Sequence, residues 1–385
     1  MEKYDNTATM PSKPHHLRPL NVREALFKDY CKIAAVQTQN GLSIPSQEEW
    51  LTLWQDNPVY QARNGDWAIG WVLETENGEI VGTISSIPLA YSFRGRTLLA
   101  AAACSWALDP AYRTRDHRHS MMIFNRLEQQ PGTDLLLSST VSSKASRIIH
   151  WSKVPTGNWD RAAFWITDRP SFVRNVLMQK AGALATILSL PVSATLLCWE
   201  ALKRTGAQTN GRTPEISLLS AFDSRFDEFW DELKHQKWGV LLAVRSRETL
   251  EWHFRRSLMR GRAWVLAATR SSRLVAYAIF DRIDNSSLGL KRVRFVDFQC
   301  LRGAESTLHG LLYSMLHRCR EGGFHSVEIT GDWLDRPGLP RLSAPYNRKL
   351  ASWTFYYKTI NPEIDQGLQD PNAWAPTSFE GDGSL

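Results

Sequence analysis

Residues 97–140 read TLLAAAACSWALDP, then AYRTRDHRHS, MMIFNRLEQQ and PGTDLLLSST. The first run is apolar, small and strand-like. It stops at Asp109-Pro110, because proline has no N–H to give a ladder. Arg113, Arg115, His117, Arg118 and His119 follow at the entry to a helix whose apolar face carries Met121, Met122, Phe124 and Leu127. The helix closes at Pro131-Gly132, and Asp134 to Thr140 returns as a second strand. A helix start presents free backbone N–H groups, so cations around it make the turn a ready anion site. The stretch predicts strand, anion-binding turn, helix, strand.

The 385 residues around it leave room for two domains with full cores. At 43% hydrophobic and 22% charged the chain has an ordinary globular composition, which excludes a largely disordered protein. A net charge of +7 favours anionic partners such as CoA, nucleotide sugars, nucleic acid or an anionic membrane surface, and selects none of them. The five cysteines, Cys31, Cys104, Cys198, Cys300 and Cys319, are far apart and form no C-x-x-C, which argues against a disulfide framework or zinc site and for a reducing compartment. Residues 1–19 are polar and hold prolines without an apolar signal core, and read as a disordered lead-in.

Upstream, Val22 to Trp54 has helical spacing through Ala25, Leu26, Tyr30, Ala34 and Ala35, with a capping box at Ser46 and Glu49 starting a second helix. Asp66 to Glu74 and Glu79 to Ala90 read as strands joined by the turn Glu76-Asn77-Gly78. Ser142 to Trp151 reads as a helix and Asn158 to Thr167 as a strand. Residues 181–199 carry no charge and just reach membrane-spanning length. Gly182, Pro191 and several hydroxyls point first to a helix packed between domains, second to a membrane-surface or re-entrant segment, and last to a true span. From Glu215 the order restarts: a strand at Ile216–Phe222, two helices, three strands from Ala263 to Leu301, a helix from Ser306 to Glu321, and a strand at Ser326–Thr330.

Leu108-Asp109-Pro110-Ala111-Tyr112-Arg113 is similar to the hydrophobic-x-Pro-x-x-Arg entry of the GNAT acyltransferases, and the order of elements resembles theirs in both halves. That family's Arg/Gln-x-x-Gly-x-Gly/Ala turn is not reproduced. The two glycine positions counted from Arg113 hold Asp116 and Arg118, which shifts the expected phosphate contacts to arginine side chains. The resemblance implies an α/β (α+β) fold of two tandem GNAT-like domains, each a mixed, mostly antiparallel sheet flanked by helices. Residues 20–175 form the first and 215–360 the second. Residues 176–214 are an apolar helix and linker, and 361–385 a C-terminal tail. The Leu-Glu-Trp-His-Phe run at 250–254, the Val296-Asp297-Phe298 strand and the Trp374-Ala375-Pro376-Thr377 tail resemble motifs of GNAT-type proteins of bacterial envelope and exopolysaccharide pathways.

The resemblance further implies acyl-CoA (acetyl-CoA) as co-substrate and no metal. Pantetheine would lie along Trp106, Ala107 and Leu108. The pyrophosphate would lie on the turn of Arg113, Arg115, Asp116, His117, Arg118 and Ser120. Ser138, Ser139 and Thr140 are the acceptor-side candidates, with strand-end hydroxyls as their plainer reading. For proton handling the candidates are His150, whose unperturbed pKa lies near neutrality, and Asp297, a mid-strand carboxylate. Arg294, on the same strand, could neutralise Asp297 and make the pair structural. Glu380-Gly381-Asp382 reads as a loose acidic tail, or one that folds back.

Three functions follow. The first is transfer of an acyl group from acyl-CoA to an amine, an amino sugar or cell-envelope or polysaccharide precursor being the expected acceptor. The second draws the acyl group from aminoacyl-tRNA, the one nucleic acid the reading admits. The third is a non-catalytic scaffold in polysaccharide assembly. The expected location is cytoplasmic, peripheral to the inner membrane if residues 181–199 provide a membrane-surface contact.

Overall fold

The computed structural model describes residues 19–385 except 115, 140–149, 158–159, 182–188, 190, 197–213, 332–337, 351–354 and 381–383. Its framework is two sheets. In the first, β1 (Leu20–Glu24), β2 (Gly70–Thr75), β3 (Ile80–Phe93) and β4 (Arg96–Leu108) pair antiparallel in sequence order. Gly78, at φ +75°, closes the β2–β3 turn, and Arg94-Gly95, both at positive φ, close the next. β5 (Leu135–Ser138) then joins β4 in parallel. The second sheet repeats the plan. β8 (Glu215–Leu219), β10 (Ala263–Arg270), β11 (Arg273–Arg282) and β12 (Arg292–Cys300) pair antiparallel, and β13 (Ser326–Thr330) joins β12 in parallel.

The halves exchange strands. β7 (Arg161–Ile166), which precedes the second half in the chain, pairs with β13 and with β14 (Tyr346–Lys349) in the second sheet. β15 (Tyr356–Thr359), which follows that half, pairs with β5 and with β6 (Ser152–Lys153) in the first. The short β9 (Leu242–Ala243) also crosses over, to the end of β3. A division of the chain at 176–214 therefore does not coincide with the division between the sheets.

The helices follow from their apolar faces. α1 (Tyr30–Gln39), α2 (Gln47–Gln55) and α3 (Pro58–Ala62) come between β1 and β2. Val22 lies in β1 rather than in a helix, its alternation with Leu20 having been absorbed into the helical spacing. The capping box forms as expected, with Glu49 N–H on Ser46 Oγ at 3.3 Å and Ser46 N–H on Glu49 Oε2 at 3.0 Å. α4 (Arg118–Glu128) buries Ile123, Phe124 and Leu127, and α5 is Arg169–Ala181. α6 (Arg225–Gln236) and α7 (Arg247–Met259) fill the space between the sheets, where Phe226, Phe254, Trp54, Leu73, Tyr277 and Val296 share one core. Each such fully buried side chain contributes roughly 1.5–3 kcal/mol. α8 (Thr307–Glu321) covers the outer face of the second sheet, with Leu308, Leu311, Leu312 and Met315 against Phe280 and Phe295. α9 (Pro362–Leu368) leads into the C-terminal segment, which is not loose: Trp374, Thr377, Phe379 and Glu380 are each about 5% exposed or less. Among the described residues no helix is long and apolar enough to cross a membrane. The membrane-surface expectation falls largely outside the described residues, which retain only 181, 189 and 191–196 of that run.

Candidate active site

Both sheets carry a bulge in the strand that turns from antiparallel to parallel pairing. In β4, Ala107 faces Thr83 and Cys104 faces Ser85, so β4 holds one residue more than β3 there. Ser105 takes up the difference at φ +52°, a conformation costly for a residue with a Cβ. Gln37 of α1, itself 3% exposed, donates from Nε2 to the Ser105 carbonyl at 3.4 Å. In β12, Ile279 faces Asp297 and Phe280 faces Phe295, so Val296 is the extra residue. That insertion turns Val296 and Asp297 both toward the inter-sheet core.

Beyond each bulge the parallel pair splays. β4 and β5 pair only from Ala100 to Ala102, and β12 and β13 only from Arg292 to Phe295. The two forks differ. The second is bridged by the chain itself: Thr377 Oγ1 donates to Asp297 Oδ1 at 2.9 Å, and the Ser378 and Thr330 hydroxyls pair at 2.8 Å. At the base of the first, Ser138 Oγ donates to the Ala103 carbonyl at 3.2 Å. Among the described residues no strand pairs with Ala103–Leu108 on the β5 side. The indole Nε1 of Trp106 lies buried there with no hydrogen-bond partner among them, while its ring rests 5.4 Å from that of Phe124. An orphan donor beside unpaired strand is what a ligand's carbonyl would satisfy. Ala107 and Leu108 are core residues, so β4 offers a ligand its backbone there.

The basic turn is only partly available for phosphate. Arg113 Nε donates to the Leu108 carbonyl at 3.2 Å, and its Nη2 is held by Asn40 Oδ1. Asp116 Oδ1 accepts from the Arg118 N–H at 3.3 Å, which sets a carboxylate at the N-terminus of α4, where a pyrophosphate would compete with it. His117 and Arg118 are exposed; His119 is buried with Nδ1 2.7 Å from the Tyr112 carbonyl, and Ser120 is buried beside it. Arg115 and Thr140 lie outside the described residues.

Neither proton-handling candidate stands in a cleft. His150 is exposed at φ +49° and is not among the residues lining the cavity described below. Asp297 is fully buried and its oxygens are saturated. Arg245 donates from Nε at 2.8 Å and from Nη2 at 3.2 Å, Gln299 Nε2 at 3.0 Å and Thr377 at 2.9 Å. Burial opposes the charge, but Arg245 and these donors hold the Asp297 carboxyl below its ordinary range, so it is a structural anion. Its partner is Arg245 rather than Arg294, which pairs with Asp281, the residue directly opposite it on β11. Arg245 Nη2 also reaches Glu380 Oε1 at 2.6 Å, and its guanidinium lies 4.6 Å over the Phe379 ring.

The clipped tail lines a cavity of about 630 Å³ between the sheets. Its walls include Cys104 and Ser105 of the β4 bulge, Trp252, His253 and Arg256 of α7, Arg294 of β12, and Ser384 and Leu385. His253 Nε2 is 2.9 Å from Ser384 Oγ, and its ring packs 4.8 Å from that of Phe379. Desolvation lowers the His253 pKa to about 3, which keeps the imidazole neutral. The sequence singled out the run containing His253, but nothing local paired it with Ser384, 131 residues on. Among the described residues no cluster of His, Cys, Asp and Glu could hold a metal ion.

No family model matches the chain, and no curated protein is similar to it in sequence. Solved structures are. Saccharomyces cerevisiae N-myristoyltransferase with bound myristoyl-CoA is 11% identical over 100% of this chain and 89% of that one, with a TM-score of 0.55. GCN5-related N-acetyltransferases from Kribbella flavida and Anabaena variabilis are 10% and 11% identical over 89% of this chain and 71% and 73% of theirs, with TM-scores of 0.52 and 0.50. At such identities the likeness is one of fold: the chain has a GNAT-like fold with two sheets flanked by helices.

Proposed function

We propose that the chain is an N-acyltransferase that lays an acyl-CoA thioester in the β4/β5 fork and transfers its acyl group to an amine in the cavity between the sheets. The observation that carries this is the asymmetry of the forks: the side chains of Thr377 and Ser378 cross the second, while among the described residues no such bridge crosses the first beyond Ser138, and Trp106 Nε1 is left without a partner beside it. The structural neighbours, an N-myristoyltransferase with bound myristoyl-CoA and two GCN5-related N-acetyltransferases, support the same reading.

Ser105 brings the β4 backbone into the cavity wall, so a thioester held along β4 would meet an amine held in the cavity. The amine nitrogen attacks the carbonyl carbon; the N–C bond forms as the C–S bond breaks, and the electron pair leaves on sulfur. The Ser384 hydroxyl, oriented by its bond to the neutral His253 Nε2, accepts a hydrogen bond from the amine, whose proton leaves to solvent, and the thiolate takes a proton from solvent. The acceptor class expected from the sequence, an amino sugar or envelope precursor, fits a cavity of this size.

Asp116 favours a second reading. A carboxylate at the α4 N-terminus suits a donor without a pyrophosphate, such as aminoacyl-tRNA. Calorimetric titration with acetyl-CoA and myristoyl-CoA separates the two. Saturable binding, with acylated product from an amine panel detected by mass spectrometry, supports the first. No binding at millimolar acyl-CoA overturns it in favour of the tRNA donor or the scaffold.

A further inference from the structure

The cavity wall is lopsided in charge. Arg256 of α7, Arg260 just past its end, Arg262 before β10, Arg282 at the end of β11 and Arg294 of β12 line it, against Glu49 and Asp281. Both carboxylates are engaged, Glu49 with Arg260 and Asp281 with Arg294. Arg282 is held at 2.6 Å by Asp284, and Arg256 reaches only Glu48, at 3.3 Å, whose side chain is 81% exposed. So exposed a pair contributes little, which leaves Arg256 nearly free to turn inward. Arg262 makes no ion pair with a carboxylate among the described residues. The Arg282 N–H donates to the Arg262 carbonyl at 2.9 Å, which fixes the two arginines on opposed backbone positions. Guanidinium groups converging on one concavity repel each other unless an anion joins them, and their planar forks match phosphate and carboxylate oxygens.

We infer that the cavity binds a small molecule carrying an anionic group, a phosphate or a carboxylate, on Arg262 and Arg256, with its amine toward His253. The amine's role rests on the acyltransferase reading; the anion site does not. A volume of about 630 Å³ holds a metabolite-sized ligand rather than a polymer.

The test is calorimetry of the full chain with O-phosphoethanolamine, β-alanine, ethanolamine and inorganic phosphate, beside an Arg256→Gln, Arg262→Gln double variant. Both residues lie at the surface and outside the core, and an unchanged melting curve verifies the variant's fold. At least one of the two anionic amines is expected to bind about tenfold more tightly than ethanolamine, and to lose about that factor in the variant. Which of the two binds better distinguishes phosphate from carboxylate. Ethanolamine binding as tightly as the anionic amines, no binding of either at millimolar concentration, or an unchanged variant overturns the anion site. Inorganic phosphate binding as tightly as O-phosphoethanolamine overturns the two-point mode. Acyl-CoA turnover without anion preference would sink this inference and leave the acyltransferase standing; anion binding without any transfer would do the reverse.

Discussion

Replacing Arg245 by methionine keeps most of the side-chain volume and removes the one cation that Asp297 and Glu380 share in the core. All three side chains are at most 4% exposed, so water cannot take the cation's place. Breaking a buried pair from one side costs roughly 3–5 kcal/mol. The alternative for the variant is to neutralise the acids. Protonating a carboxyl with an ordinary pKa near 4 at pH 7 costs about 1.4 kcal/mol for each of about three pH units, roughly 4 kcal/mol per group. Both routes give a loss of roughly 4 kcal/mol or more, a large share of a domain's stability.

The pH dependence has a definite sign. In the native protein Asp297 is held below its ordinary pKa, so its contribution is present above the unfolded value of 3.8 and is lost as pH falls through the folded one. In Arg245→Met the uncompensated carboxyls titrate upward, so the variant gains stability relative to the parent as pH falls. Urea unfolding followed by tryptophan fluorescence at several pH values should therefore give midpoints that differ most near pH 8 and converge toward pH 5. Adding Asp297→Asn and Glu380→Gln to Arg245→Met should recover most of the loss at neutral pH. A loss under about 1 kcal/mol, or one independent of pH, would refute the assignment of these residues as a charge-balanced structural unit.

Asp116→Asn removes the charge that competes at the α4 N-terminus and should tighten acyl-CoA binding a few-fold by calorimetry; weaker binding would place the pyrophosphate elsewhere. Burial pushes the Cys300 thiol up to about 11 and the Cys319 thiol up to about 12, so in the native protein a disulfide reagent should label exposed Cys31 and spare both, as mass mapping will show. His253→Gln should lower kcat about tenfold with little change in KM, because Ser384 loses the partner that orients it. The same variant should unfold less readily in acid. The native His253 pKa is lowered from 6.5 to about 3, so the unfolded chain takes up a proton first and the parent loses stability as pH falls through 6.5.

Local chemistry was readable from the chain and distant pairing was not. The Ser46 box, the Gly78 turn and the apolar face of α8 each depend on residues a few positions apart, and all three formed. The partner of Asp297 is 52 residues away, so a search along its own strand offered Arg294 instead. The tail looked loose because Glu380 is acidic and lies among small residues, yet it closes a pair 135 residues back. The exchange of β7 and β15 leaves no trace in their alternation, which fits either sheet. The bulge at Ser105 was equally hidden, since no glycine marks its positive φ and the support comes from Gln37, 68 residues away.

The two forks assign unequal work to two similar sheets. A splayed parallel pair exposes strand backbone that must find partners, in a ligand or in the chain. At β12/β13 the side chains of Thr377 and Ser378 cross the gap instead, bonding those of Asp297 and Thr330, and the charge that accompanies them, Glu380, is neutralised by Arg245. Past that closure Ser384 and Leu385 line the cavity wall, with Ser384 against His253. On the proposed reading, the second half gave up a binding site of its own and became the acceptor wall of the first. Arg245, Asp297 and Glu380 then act on activity only by placing Ser384. A Glu380→Gln variant that stays folded should then lower kcat in proportion to Ser384→Ala and leave acyl-CoA affinity unchanged, because the donor fork is built from the other sheet.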